Sequence, residues 1–236
     1  MRKLLIILVM FLSITLRAQI LAPILYQTAA ASGSSIVVTA HTCHGQGAGA
    51  VTAYPCSWNT APVSGETSVG GVVAYSSGET YSVTDTNSAT YTANGSQFNR
   101  DSVSWTQGFY RVNNASPPQT IFNLTPAAGY PGLMFIGTTG LAGTPDGSCS
   151  VQIGSSVSTW SCDSPIVTTH ADLIFCTVIL PATGTFSTGT GFTLGPAAGT
   201  NVGTQYLVQS SSGSITPSVH YTVAGGIGQM VCYAYY

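Results

Sequence analysis

Two stretches of the chain are apolar almost without interruption: residues 166–180, IVTTHADLIFCTVIL, and residues 229–236, QMVCYAYY. Both are rich in β-branched and aromatic residues, which suit a pleated, buried backbone. They predict two core strands, one carrying Cys176 and the other Cys232. Elsewhere the apolar positions alternate over short runs. Residues 36–42, 67–75, 81–84, 90–93, 102–112, 120–124, 133–137, 192–194, 204–209 and 218–223 read as further strands. Turn chemistry separates them. Asp85-Thr86-Asn87-Ser88 reads as a hairpin tip, 126–131 as a proline-bounded turn, and 141–148 as a surface loop around Pro145-Asp146-Gly147. The Gly-rich stretch 43–60 reads as loop, and 149–162 as a hairpin. No 3.6-residue period survives the Gly, Ser and Thr interruptions, so no amphipathic helix is predicted. Short strands recurring with turns between them predict an all-β antiparallel sandwich.

Composition sharpens the picture. Only 5 % of residues are charged, against about 25 % in ordinary soluble domains. Hydroxyls and backbone must keep such a surface wet, a character common in secreted and cell-surface β-proteins. The N-terminus reads as a targeting segment: Arg2 and Lys3 precede an apolar run, 4–16, and Ala18 is a candidate for the residue before the cut. An uncleaved anchor is the alternative. The expected organisation is a signal peptide, 1–18, and one β-domain, 19–236, with no membrane span once the signal is removed. Beyond residue 18 only Arg100 and Arg111 stand against seven acids, a balance of minus five. Two arginines build no basic patch, which argues against nucleic acid as a partner.

Six cysteines in an exported chain predict disulfides, and six allow fifteen pairings. Spacing favours Cys43 with Cys56 and Cys149 with Cys162, each thirteen apart, which leaves Cys176 and Cys232 for the two core strands.

From about Val69 onward the order of motifs adds a likeness. GGVVAYSSGETYSVTDTNSATYT is followed by QGFYRVNN, VTTHADLIFC, GTFSTGTGFTL and QMVCYAYY. This order, over some two thirds of the chain, resembles a family of exported bacterial β-sandwich domains of jelly-roll-like form. The resemblance implies a single jelly-roll-like antiparallel β-sandwich and an exported location, and no shared activity. The chain departs from it where Asn87-Ser88-Ala89 replaces a Gly-Asn turn, and where Cys176 and Cys232 replace apolar core residues.

Each candidate for chemistry has a structural reading beside it. His41, Cys43 and His44 offer metal-binding donors, but Cys43 is expected in a disulfide, and His170 and His220 are distant in sequence. Glu66 and Glu79 are the acids a glycosidase would need, yet both lie in turn-like sequence. Asp85-Thr86-Asn87 and Asp146 are conceivable calcium ligands without a D-x-D-x-D-G run. His170 and Asp172 share a strand face with no nucleophile elbow in the chain. No metal or other cofactor is expected. Trp58 and Trp160, beside Cys56 and Cys162, are the expected exposed aromatics for stacking on sugar rings, whereas Trp105 is expected in the core. Tyr233, Tyr235 and Tyr236 end a strand that could pair with a neighbour if it lay at an edge. The expected function is a non-catalytic secreted or cell-surface protein, structural or adhesive, with weak glycan binding through loop aromatics. Its partners would be extracellular glycan or other copies of itself. A subunit of a filament or surface assembly, and a secreted carbohydrate-active enzyme, are the alternatives.

Overall fold

A computed structural model describes residues 35–75, 80–154, 158–180, 186–199, 201–221 and 227–236, with the side chains of 126–128 and 158 left aside. The expected signal peptide and Glu79 lie outside these residues. The described residues form strands and turns, without a helix. In chain order the first seven strands are β1 (Val37–Gln46), β2 (Ala50–Ser57), β3 (Thr67–Tyr75), β4 (Thr80–Asp85), β5 (Thr92–Phe98), β6 (Trp105–Arg111) and β7 (Gln119–Thr139). The next five are β8 (Pro145–Ile153), β9 (Ser158–Ser161), β10 (Ile166–Thr168), β11 (Leu173–Ile179) and β12 (Phe186–Thr188). The last five are β13 (Thr193–Ala197), β14 (Val202–Val208), β15 (Gly213–Ile215), β16 (Ser218–Tyr221) and β17 (Gly228–Tyr235).

The first sheet turns on β7. Its first half is flanked by β2 and β4, and its second half by β1 and β3. The sheet continues from β3 to β6 and β5, and it is partly closed on itself. The expected turn at 126–131 is therefore corrected: the chain runs on as one 21-residue strand. The prolines are tolerated because the ladders shift there, between Val51 and Ala53 on β2 and between Val73 and Tyr75 on β3. The expected loop 43–60 is also corrected. The two halves of β7 supply partners for its backbone, so it folds as the end of β1 and the whole of β2 despite its glycines.

The second sheet is antiparallel in the order β13-β14-β11-β17-β8. Both of its central strands are buried on two faces, and their side chains alternate between two cores. Val231, Tyr233 and Tyr235 of β17 point inward with Leu173 and Phe175 of β11, against Val69 and Ile136 of the first sheet. Met230, Cys232 and Ala234 point outward with Ile174, Cys176 and Val178. That outer face is covered by the small sheets β12-β16-β9 and β10-β15, through Val219, Tyr221 and Ile166. A further core, with Phe109, Phe122 and Phe135, fills the outer side of the first sheet. Each fully buried Phe or Ile stabilises by about 1.5–3 kcal/mol. The sheets approach closely at Gly108, where a Cβ would lie 2.8 Å from the Tyr233 ring.

The disulfides are Cys43–Cys56, Cys149–Cys162 and Cys176–Cys232, as spacing predicts, with Cα separations of 5.8, 5.8 and 4.0 Å. The first joins β1 to β2, and the third joins directly opposed residues of β11 and β17. The second joins β8 to the end of β9. These strands belong to different sheets, so the expected hairpin over 149–162 is a connection between layers. Strand β8 also begins at Pro145, inside the expected surface loop 141–148. The run 166–180 divides at residues 169–172, Thr-His-Ala-Asp, into β10 and β11. The C-terminal strand β17 lies between β11 and β8, with all eight residues buried, and is no edge. Three disulfides place the fold in an oxidising environment, and among the described residues no helix is long and apolar enough to cross a membrane.

Candidate functional site

At one end of the sandwich the two sheets part around a cavity of about 760 Å³. The first sheet contributes Gln46 from the end of β1, Tyr75 from the end of β3 and Tyr130 from β7. The second contributes Asn201, before β14, and Ile227, before β17. Tyr75 and Tyr130 stand edge to face, 6.1 Å apart at 89°. Tyr130 is 55 % exposed and sits at φ 51°, a left-handed conformation uncommon for a residue with a Cβ. Such a conformation costs about 1–3 kcal/mol and persists only where the surroundings hold it. Here the Tyr130 N–H donates to the Gly49 carbonyl (3.2 Å), and Gly47 N–H donates to the Pro131 carbonyl (2.8 Å).

The Tyr75 hydroxyl accepts from the Asn201 amide at 3.2 Å. Burial, and then the negative charge of Asp101, push its pKa up, so it stays a neutral phenol able to donate and accept. Val103 and Ile227, both half exposed or more, give the mouth an apolar rim. Asp101 also borders the cavity, but its carboxylate is engaged. It accepts from the N–H groups of Val103 (3.0 Å) and Ser104 (2.7 Å) and from the Ser104 hydroxyl. Among the described residues the cavity thus offers aromatic faces, amides and hydroxyls, and it lacks the paired carboxylates that glycoside hydrolysis uses.

The aromatics singled out in the sequence lie elsewhere. Trp58 is 6 % exposed; its indole N–H donates to the Thr120 hydroxyl at 3.0 Å, and its ring packs near Phe135. Its place beside Cys56 puts it in the core, which corrects the expected exposed platform. Trp160 is half-buried on β9, packed on the outer core. Gly154 lies against its ring, where a Cβ would come within 2.8 Å. Trp58 presents no open face, and Trp160 is only partly exposed. Tyr75 and Tyr130 are the residues sequence reading missed. Their only signal is placement at turn chemistry, Tyr130 between Gly129 and Pro131 and Tyr75 before a Ser-Ser-Gly stretch.

The other candidates separate. Cys43 is in its disulfide, and His41 pairs with the buried Glu66, Nδ1 to Oε2 at 2.8 Å, so the histidine–cysteine trio does not converge on a metal. Glu66 also accepts from the Val63 N–H at 3.0 Å. Asp85 is satisfied as a turn residue by the N–H groups of Asn87 and Ala89 and by an ion pair with Arg111. The sulfurs of Cys149, Cys162 and Cys232 lie within 4.8 Å of one another, all held in disulfides.

Asp146, His170 and Asp172 do come together. Asp146 accepts from the Thr169 N–H (2.6 Å) and hydroxyl (2.9 Å), and its Oδ2 lies 3.5 Å from His170 Nδ1. Burial works against its ionisation, but the Thr169 bonds prevail and hold its pKa below the ordinary value. His170 stacks on Tyr236 at 3.8 Å. Asp172 has no exposed surface. Burial, and then the charge of Asp146, push it up to about 6.

No protein-family model matches this chain, and no curated protein matches it significantly.

Proposed function

We propose that the chain is an exported, non-catalytic β-sandwich protein, structural or adhesive at the cell surface, which binds glycan in the Tyr75–Tyr130 cleft. The observation that carries this reading is the exposed Tyr130 ring, held in a strained backbone conformation and set edge-on to Tyr75, with amides alongside. An aromatic face stacks on the apolar side of a sugar ring, and neighbouring amides and hydroxyls orient its hydroxyl groups. The cavity volume falls within the usual range for a small-ligand site. The disulfides, the sparse charge, the N-terminal signal pattern and the likeness to exported jelly-roll-like domains support an extracellular location.

The test is a glycan array probed with the oxidised protein, followed by titration of any hit. Tyr130→Ala is expected to weaken binding at least about tenfold, in line with the loss of one stacking contact, while Trp160→Ala leaves it unchanged. Absence of binding to every glycan, or full binding by Tyr130→Ala, would sink the reading.

Assembly by edge pairing through the C-terminal strand is not favoured, because β17 has partners on both sides. The edges of its sheet are β13, a five-residue strand with a register shift and Pro196, and β8, which begins at Pro145 and also shifts register, features that discourage strand addition.

A further inference from the structure

A second feature lies apart from the cleft, where the start of β8 meets the bend between β10 and β11. Asp172 sits in that bend with no exposed surface, and neither of its carboxylate oxygens has a hydrogen-bond donor. The Thr168 hydroxyl, which also favours the ionised form of Asp172, donates to the Gly213 carbonyl (3.2 Å) and Gln209 Oε1 (3.3 Å). The group facing Asp172 is a second carboxylate, Asp146. Two carboxylates side by side beneath the surface repel, and an uncompensated buried charge is strongly destabilising. The adjacent ionisable cation is His170, half exposed, and its Nδ1 faces Asp146 and Thr169.

A positive charge between the two carboxylates resolves both problems, and it can be a proton or a metal ion. A shared proton would pair one oxygen of Asp172 and leave the other without a partner. A hard cation bound by both oxygens would satisfy the whole group. The donors gathered here are mainly oxygens: two carboxylates, with the hydroxyls of Thr168 and Thr169 close by, and one nitrogen, His170 Nδ1, which is engaged with Thr169 and Asp146. A mainly oxygen donor set of irregular arrangement suits Ca²⁺, whereas Zn²⁺ prefers nitrogen and sulfur and Mg²⁺ demands a near-ideal octahedron. We propose that Asp146 and Asp172 form a Ca²⁺ site that fastens β8 to the β10–β11 bend. Bound there, the ion would tie the second sheet to the small β10-β15 sheet that covers its outer face.

The experiment uses the oxidised protein, stripped with chelator and titrated with CaCl₂ at neutral pH, read by thermal melting and by calorimetry. One ion per chain is expected, with a melting temperature raised by about 5–10 °C at saturation. Asp172→Asn is expected to fold, with an unchanged far-ultraviolet circular dichroism spectrum, and to lose both the heat of binding and the thermal shift. Asp146→Asn should lose them as well. A wild-type melting temperature that ignores Ca²⁺ up to about 10 mM, some tenfold above the weak end of extracellular sites at about 1 mM, would overturn the proposal in favour of a shared proton. So would retention of the Ca²⁺ response by Asp172→Asn. Glycan binding plays no part in either readout, so this proposal and the cleft reading stand or fall separately.

Discussion

Asp172 shows how one side chain can set a pH dependence. In the cation-free protein its carboxyl titrates at about 6 rather than at the ordinary 3.8, held up by burial and by Asp146, with His170 the nearby positive charge. Between those two values the folded chain keeps a proton that the unfolded chain releases. The stability this group confers is therefore complete below about pH 4 and lost as the pH rises through about 6, a difference of about 3 kcal/mol. Urea melts in chelator at a series of pH values should show that fall in the wild type, and its absence in Asp172→Asn. The residue was legible only in part. His170 and Asp172 can be read as neighbours, but Asp146 reaches them through a contact between distant segments that spacing does not encode. The same holds for Trp58. A tryptophan beside a loop cysteine reads as exposed, until the bridge between Trp58 and Cys43 turns it under the first sheet.

Elements whose whole surface is apolar were the most legible. β11 and β17 stand out because two buried faces leave no polar alternation, and the local cysteine spacing then fixes which cysteines remain for them. Cys176 and Cys232 lie directly opposite each other and close a chain separation of 56 residues. Replacing both with alanine is expected to lower stability by about 4 kcal/mol. The urea midpoint should fall while the far-ultraviolet spectrum keeps its β form; an unchanged midpoint would mean that the bond adds nothing to the register already set by the ladder. β7 was the least legible element. Two prolines and two glycines within 126–132 carry the strongest turn signal in the chain, and pairing on both sides overrides it. The end of β1, from Cys43 on, and all of β2 were missed for the same reason, since glycine-rich sequence becomes strand when a long neighbour supplies every backbone partner.

Across the whole molecule the layers share side chains rather than merely touching. The inner cores draw on both large sheets: Val73 and Met134 from one meet Ile179 and Val202 from the other, and Val69 and Ile136 meet Phe175 and Tyr233. Neither sheet can keep its inner face buried alone. The described unit should therefore unfold in a single transition, with near- and far-ultraviolet signals superimposing along a denaturant titration; separated curves would show that the sheets melt independently. That the fold is layered and all-β could be read from short strands and turns. The order of its strands could not, because the decisive pairings join distant segments. β7 itself has a consequence for the order of events during synthesis. The four strands it aligns, β1 to β4, all precede it, so among the described residues β1, β2 and β4 acquire no ladder until β7 has left the ribosome, and β3 can pair before that only with β6. β8 waits in the same way for β17, and β11, paired first with β14, waits for it on its other side. A polypeptide built so cannot fold progressively from its N-terminus. Its contacts close late and slowly, which leaves a long interval in which the chain can still be threaded, unfolded, through a narrow channel.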